Sequence, residues 1–522
     1  MADAARTRAR RGLRRLRKAS QYTLLAAFLV LLTLTVWPLG HVYLGAFLVA
    51  DPLIAANSAM GGVLRIEMLL AVVVLLSPLL LGRAFCGYVC PTGALAEAVS
   101  PTERPSDGGP PRMRASRVPA RARAILRALP PYVLIACGGL LLFASGSFLF
   151  FDPLTTLTRS ATVLLYPALD RLTRVIGDVA YLAPPLRGGV DAVTSALTGR
   201  IVFTRPLTYG LQLGILGYFG MMLGLSRLEP RLWCRHLCPL GALLGLTGRF
   251  ALFGRVVDAE VCIQCGKCEH VCPLDAVSGD HLSTDTARCQ LGLECAEVCP
   301  TDAIRVGWLP SRTTFQPSRR ALLGASGATL LAGFFTYTGL SRSERDVRLI
   351  RPPGARTETE VLGLCSRCGQ CMKVCPTNVL QPAVTRAGIE GVFTPQMDYR
   401  LSYCDWSCSE CGKVCPTGAI MPLALEAKRK TTIGRAYIDR NRCIPWADYK
   451  TCLVCQELCP IPDKAIALRE VEVDDPRGGK VRLGRPEVLV ERCIGCGVCE
   501  NACPVPNESA IVVRAVAPER RA

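Results

Sequence analysis

Long apolar runs separated by arginine-rich segments fill the first half of the chain. The apolar runs cover residues 22–39, 66–81, 132–151 and 207–225. Each is close to the ~20 residues that cross a hydrocarbon core, so the pattern predicts four membrane spans. A fifth, milder apolar run covers residues 321–340. Beyond it the apolar residues come in short pieces, such as Ala419-Ile420-Met421 and Ala510-Ile511-Val512-Val513, which suit short strands between turns. The fold class this predicts is a mixed membrane protein: an α-helical transmembrane bundle joined to α+β domains.

The charge orients the spans. Arg6, Arg8, Arg10, Arg11, Arg14, Arg15, Arg17 and Lys18 precede the first run. Arg104, Arg112, Arg114, Arg117, Arg121, Arg123 and Arg127 fill the stretch between the second and third. Cationic loops resist translocation, so both belong on the cytoplasmic side, and the loops near Asp51 and from Asp152 to Arg205 fall outside. No small-residue cleavage site follows the first run, which argues against a removed signal peptide. The net charge of +19 is therefore largely an orientation signal, and nucleic acid is not an expected partner. With 50% hydrophobic residues in 522, the chain has enough apolar content to exclude disorder.

The membrane half contains a duplication. Arg83-Ala-Phe-Cys86-Gly-Tyr-Val-Cys90-Pro91 matches Arg231-Leu-Trp-Cys234-Arg-His-Leu-Cys238-Pro239, and Asp51-Pro52-Leu53 matches Asp152-Pro153-Leu154. Thiols at i and i+4 share one helical face. Two such pairs brought together would offer four thiolates, which suit an extra cluster or a soft metal; thiol redox chemistry and a purely structural turn are the alternatives. Cys137 reads as a packing residue. His41 reads as an interfacial histidine or a quinone contact.

The remaining cysteines carry the chemistry. The chain has 28 cysteines and 4 histidines. Cys262, Cys265, Cys268 and Cys272-Pro273 have the C-x2-C-x2-C-x3-C-P spacing of bacterial ferredoxins, in which the fourth thiolate serves the neighbouring cluster. The second motif, Cys289, Cys295 and Cys299-Pro300, has Gly292 in the place of its second cysteine. The crossover rule then predicts one site from Cys262, Cys265, Cys268 and Cys299. It predicts another from Cys272, Cys289 and Cys295, suited to a [3Fe-4S] cluster or to a [4Fe-4S] cluster with a foreign or open fourth ligand.

Four complete motifs follow: Cys365, Cys368, Cys371, Cys375; Cys404, Cys408, Cys411, Cys415; Cys443, Cys452, Cys455, Cys459; and Cys493, Cys496, Cys499, Cys503. Each ends in Cys-Pro, and together they can hold four [4Fe-4S] clusters. Nested pairing, outer motif with outer and inner with inner, is the expected arrangement; pairing of sequential neighbours is the alternative. Five or six iron–sulfur clusters are expected in all. Zinc sites favour spaced Cys and His pairs, and histidine is scarce here.

Ser318-Arg319-Arg320 ahead of the fifth run resembles a twin-arginine export signal; a plain positive-inside pair is the alternative. A cluster-filled domain has to cross already folded, which favours the export reading. The expected order is a basic cytoplasmic tail (1–20), a four-span domain (21–243), a cytoplasmic two-cluster ferredoxin domain (244–317), a signal or anchor span (318–340), and a periplasmic four-cluster domain (341–522).

These motifs resemble a known pair of families. The first ~310 residues look like NapH/MauN-type membrane polyferredoxins, by their spans, paired Cys-x3-Cys-Pro motifs and two-cluster domain. The rest is similar to NapG/MauM-type exported ferredoxins, by the twin arginines, Arg351-Pro352-Pro353-Gly354-Ala355 and the long gap between Cys443 and Cys452. The resemblance implies a multi-pass protein of the bacterial inner membrane. It implies electron transfer from the quinol pool to a periplasmic cytochrome or reductase, as an electron carrier or quinol dehydrogenase component rather than a stand-alone enzyme. Related proteins with paired Cys-x3-Cys-Pro motifs handle copper or mature cofactors, which is the alternative function; a redox or oxygen sensor is a third.

Overall fold

The computed structural model describes residues 2–35, 45–103, 112–113, 117–143, 145–197, 206–309, 319–337, 346–474 and 478–516. His41, Arg104, Arg114 and Ser318 lie outside them. The chain forms two compact units. One comprises Met1–Leu32, Tyr43–Ser160 and Leu213–Tyr337; the other comprises Thr33–Val42, Ala161–Gln212 and Thr338–Ala522.

The first unit is mostly helical. Helix Ala2–Leu34 runs unbroken through the basic tail into the first apolar run. The expected third span moves: the helix is Ala120–Leu142. Pro130 and Pro131 sit inside it without ending it. The apolar residues after it form a 3-10 turn, Gly146–Phe151, instead. The second and fourth runs are Leu69–Leu81, with a 3-10 turn before it, and Gln212–Leu228. Among the described residues, Ala120–Leu142 is the one helix long and apolar enough to cross a membrane. Ile66–Leu81, Pro239–Gly248 and Leu322–Leu331 are shorter apolar helices. Helix Arg319–Tyr337 packs on Ala120–Leu142, where the Thr329 side chain fills the space beside Gly139.

The repeated Asp-Pro-Leu turns are helix starts. Asp51 caps Pro52–Met60 by accepting from the N–H of Leu53 at 2.8 Å. Asp152 accepts from Leu154 and Thr155, both at 2.9 Å, ahead of Pro153–Ser160. In each, proline holds the first helical position, where its missing N–H costs nothing. Both aspartates are fully buried. The ferredoxin part of this unit closes on an antiparallel pair, Phe253–Val257 with Ile304–Trp308.

The second unit is α+β with short antiparallel pairs. Leu380–Pro382 pairs with Pro395–Met397, Gly434–Ile438 with Ile511–Ala515, and Ile466–Asp474 with Lys480–Val488. The expected strand at Ile511 is therefore present, whereas Ile420 makes only an isolated bridge to Ala355. A reciprocal capping box between Thr357 and Glu360 starts helix Glu358–Leu364, just before Cys365.

Candidate iron–sulfur sites

Thiols from the four C-terminal motifs wall two cavities. Cys365, Cys368, Cys371 and Cys415 line one, with Val361, Phe393 and Ile420 supplying apolar walls. Cys443, Cys452, Cys455 and Cys503 line another, beside Ile438, Pro445 and Ile511. The remaining thiols fall into two further sets by mutual electrostatic reach: Cys404, Cys408 and Cys411 with Cys375, and Cys493, Cys496 and Cys499 with Cys459.

The exchange of fourth cysteines thus joins sequential neighbours. The nested arrangement is not formed. The physical reason is the position of each Cys-Pro: it lies at the end of one motif and turns its thiol toward the motif next to it in sequence. The two pairs do meet, since the N–H of Cys404 donates to the carbonyl of Cys496 at 2.9 Å.

In the first unit, Cys272, Cys289 and Cys295 line one cavity together with Gly292, Leu293 and Glu294. Cys268 packs in one core with Val277, Ala296 and Ile304, against which Cys272, Cys295 and Cys299 all lie, while Cys265 is exposed and Cys262 half-buried. The cavity groups Cys272 with Cys289 and Cys295, the half of the expected crossover that involves Cys272.

Cys86, Cys90, Cys234 and Cys238 come within electrostatic reach of one another. They do not share helical faces as the i, i+4 spacing suggests. Cys86 lies in the short turn Ala84–Tyr88, and Cys90 caps Pro91–Val99. Cys234 lies in the π-turn Trp233–Leu237, and Cys238 caps Pro239–Gly248, its sulfur accepting from Gly241 N–H at 3.1 Å. The proline after each second cysteine starts a new helix, so each pair straddles a bend. Cys137 is buried within Ala120–Leu142, as a packing residue would be.

These sites fit iron–sulfur clusters. Among the described residues, no three Cys, His, Asp or Glu side chains converge on the position of a single metal ion; the thiols instead wall cavities. Backbone N–H groups point at sulfur: Ala276 to Cys272 at 3.2 Å, Arg367 to Cys365, Ala436 to Cys493 and Ala465 to Cys459, each of the last three at 3.4 Å. Such hydrogen bonds stabilise thiolate and tune the potential of a bound cluster. Burial pushes the free thiols of Cys289, Cys368 and Cys443 up to about 12, so loading releases protons and stabilises the fold together.

Arginines that the cysteine spacing does not point to surround these thiols. Arg83 donates to the carbonyl of Cys234 at 2.9 Å and lies within reach of Cys86 and Cys238. Arg231 donates to the carbonyl of Cys86 at 3.3 Å and to Gln290 at 2.6 Å. Both precede a site cysteine by three residues in the duplicated motif, a signal legible in the repeat. Arg255 donates to the Cys268 sulfur at 3.5 Å and faces Cys289 and Cys295. Glu97 pairs with Arg17 and Arg231; burial opposes its charge, but the two guanidiniums hold its carboxyl well below the usual range.

The comparisons with known proteins agree with this chemistry. A 4Fe-4S binding domain matches residues 66–104 and 213–257, another matches 255–278 and 486–506, and a 4Fe-4S dicluster domain matches 364–419. The methylamine utilization ferredoxin-type protein MauM of Methylorubrum extorquens is 38% identical over 190 residues, 35% of this chain and 82% of that protein. The ferredoxin-type protein NapG of Escherichia coli is 36% identical over 149 residues, 28% of this chain and 63% of that protein. The methylamine utilization ferredoxin-type protein MauN of Paracoccus denitrificans is 40% identical over 95 residues, 16% of this chain and 32% of that protein. No solved structure matches.

Proposed function

The chain belongs to the MauM ferredoxin-type family, and on that premise we propose that it relays electrons between the quinol pool and a periplasmic redox partner. In this proposal it joins a MauN-like membrane part to a MauM-like exported part. Iron–sulfur clusters, when bound, supply reversible one-electron transfer. The chain's own residues hold them, with Cys262, Cys265, Cys268 and Cys299 at one site, Cys272, Cys289 and Cys295 at a second, and sixteen further thiols at four more.

The observation that carries the reading is the contact between the two Cys-x3-Cys-Pro loops and the ferredoxin loops that carry Cys272 and Cys289. The N–H of Arg83, three residues before Cys86, donates to the carbonyl of Cys289 at 2.9 Å. Arg235, next to Cys234, donates to the carbonyl of Pro273 at 2.9 Å, one residue past Cys272. Both Cys-x3-Cys-Pro loops thus hold the same ferredoxin site. Beside them lies a cavity of about 430 Å³. Leu134, Ile135 and Leu246 line its apolar part, and Arg83, Arg127 and Arg235 its cationic part. Its size suits a small organic ligand, and its mixed walls suit a quinol headgroup.

The topology has support of the same kind. Arg14 of the basic tail pairs with Glu297 at 2.9 Å, a contact that supports a shared side for the tail and the first ferredoxin part. In the second unit, Asn378 donates to the carbonyl of Thr208 at 2.8 Å and Tyr209 to that of Met372 at 3.2 Å. The residues just before helix Gln212–Leu228 thus contact the C-terminal cluster domain, which supports the reading that both lie on the outer side. Leu69, Leu70, Val73, Leu76 and Leu80 are exposed on Leu69–Leu81, an apolar surface suited to lipid.

The test is anaerobic titration of the detergent-purified chain with a quinol analogue, followed by EPR. Reduction of the iron–sulfur signals supports the reading. Reduction by dithionite but not by quinol, with or without a membrane partner, removes the quinol assignment.

A further inference from the structure

We propose that Glu294 is the fourth protein ligand of the site formed by Cys272, Cys289 and Cys295, a carboxylate oxygen taking the corner left by Gly292. The proposal rests on the iron–sulfur reading above and adds a ligand to it.

Backbone geometry shows that Gly292 holds the place of a ligand. In three complete motifs the residue before the second cysteine has a left-handed backbone: Gln264 at φ 52°, Arg367 at φ 58° and Gly495 at φ 77°. So does the residue after it: Gly266 at φ 70°, Gly369 at φ 81° and Gly497 at φ 80°. The second motif keeps both turns around Gly292, with Leu291 at φ 53° and Leu293 at φ 63°. Leucine adopts this conformation only at a cost of ~1–2 kcal/mol, yet it appears twice. The loop is folded as a cluster-binding loop, and only the second thiol is absent.

Glu294 fills that absence. Its carboxylate occupies the space into which a Cβ on Gly292 would project. It lines the same cavity as the three thiols and lies within electrostatic reach of all of them. It is 8% exposed. One oxygen, Oε1, pairs with the fully buried Arg17, and the other, Oε2, lies nearest to the corner. The contrast with the motif at Cys408 is informative. Glu410 holds the equivalent position there, but the second cysteine is present and Glu410 pairs with Lys413 at 3.0 Å.

A carboxylate is an acceptable iron ligand, harder than thiolate. Three thiolates alone leave one iron of a four-iron cube without a protein ligand, and that iron is readily lost on oxidation. With Glu294 bound, the site holds four irons with one chemically distinct corner. Arg17 orients the carboxylate, and Glu97 shares the charge of Arg17.

The experiment compares full-length wild type with Glu294→Gln, Glu294→Cys and Arg17→Gln, all purified anaerobically, by iron and sulfide analysis and by EPR after mild oxidation. Oxidised four-iron clusters of this type are EPR-silent, whereas an oxidised three-iron cluster is not, so the signal reports this one site against the others. Wild type and Glu294→Cys should show no three-iron signal, whereas Arg17→Gln, which removes the group that orients the carboxylate, should show part of it. Glu294→Gln should lose about one iron per chain and gain a three-iron signal approaching one spin per chain. A wild type that already carries the full three-iron signal before oxidation, or a Glu294→Gln protein indistinguishable from wild type, overturns the proposal. Wild type without iron and sulfide would instead overturn the iron–sulfur reading itself.

Discussion

The backbone N–H of Arg83 donates to the carbonyl of Cys289 at 2.9 Å, tying the first Cys-x3-Cys-Pro loop to the incomplete ferredoxin motif. The chain can approach this closely because Gly82 precedes it at φ 58°; a Cβ there would meet the Cys289 oxygen at 2.9 Å. Gly82→Val should therefore push the loops apart. Quinol-driven reduction of the Cys272, Cys289 and Cys295 site should slow at least tenfold in stopped-flow measurements, while reduction by dithionite stays unchanged.

Replacing Cys86, Cys90, Cys234 and Cys238 by Ser separates the two readings of the membrane thiols. If they hold a cluster, iron and sulfide fall together by one cluster's content and quinol-driven reduction is lost. If they handle copper, iron stays constant and copper binding disappears. Metal analysis of the purified variant decides.

Arg255 places a cation against the sulfur of Cys268 and near Cys289 and Cys295. A nearby cation favours the more negative, reduced state. Arg255→Gln should lower the potential of the adjacent sites by on the order of 60 mV, about a tenfold step for a one-electron couple. Redox titration followed by EPR reads this directly.

Gly497 has φ 80°, and the Tyr399 ring lies where its Cβ would project. Gly497→Ala adds backbone strain of ~1–2 kcal/mol and a steric conflict. The expected result is loss of the site at Cys493, Cys496 and Cys499, seen as lower iron content and an earlier thermal transition.

The Glu97 carboxylate sits between Arg17 and Arg231. Removing one partner of a buried pair costs ~3–5 kcal/mol, so Glu97→Gln should be destabilised by that order at neutral pH. The pH dependence has a defined sign. The folded carboxyl is held below its ordinary value of 4.5, so its contribution is present above that pH and declines as pH falls below it. The gap between wild type and variant in chemical denaturation should narrow in that acid range.

Much of this was legible in the residues. Cysteine spacing indicated the ferredoxin sites and the crossover of Cys272, because three thiolates two residues apart leave few other geometries. The pairing of the last four motifs was not legible, since linear spacing carries no information on which motif a Cys-Pro thiol faces. The i, i+4 spacing of Cys86 and Cys90 suggested one helix, but Pro91 starts a new one and turns spacing into a bend. The gap at Gly292 was visible, whereas Glu294 was not: its role depends on left-handed turns at Leu291 and Leu293, a conformation that leucine does not advertise. Arg17 lies too far from Glu294 in sequence for any local pattern to join them.

The most direct measurement is iron, acid-labile sulfide and zinc analysis of the anaerobically purified full-length protein, with Mössbauer spectra of iron-57-enriched material. The account predicts iron and sulfide in near-equal amounts, enough for at least five clusters, all in cubane-type environments. Protein holding zinc or disulfides in place of iron and sulfide would contradict it.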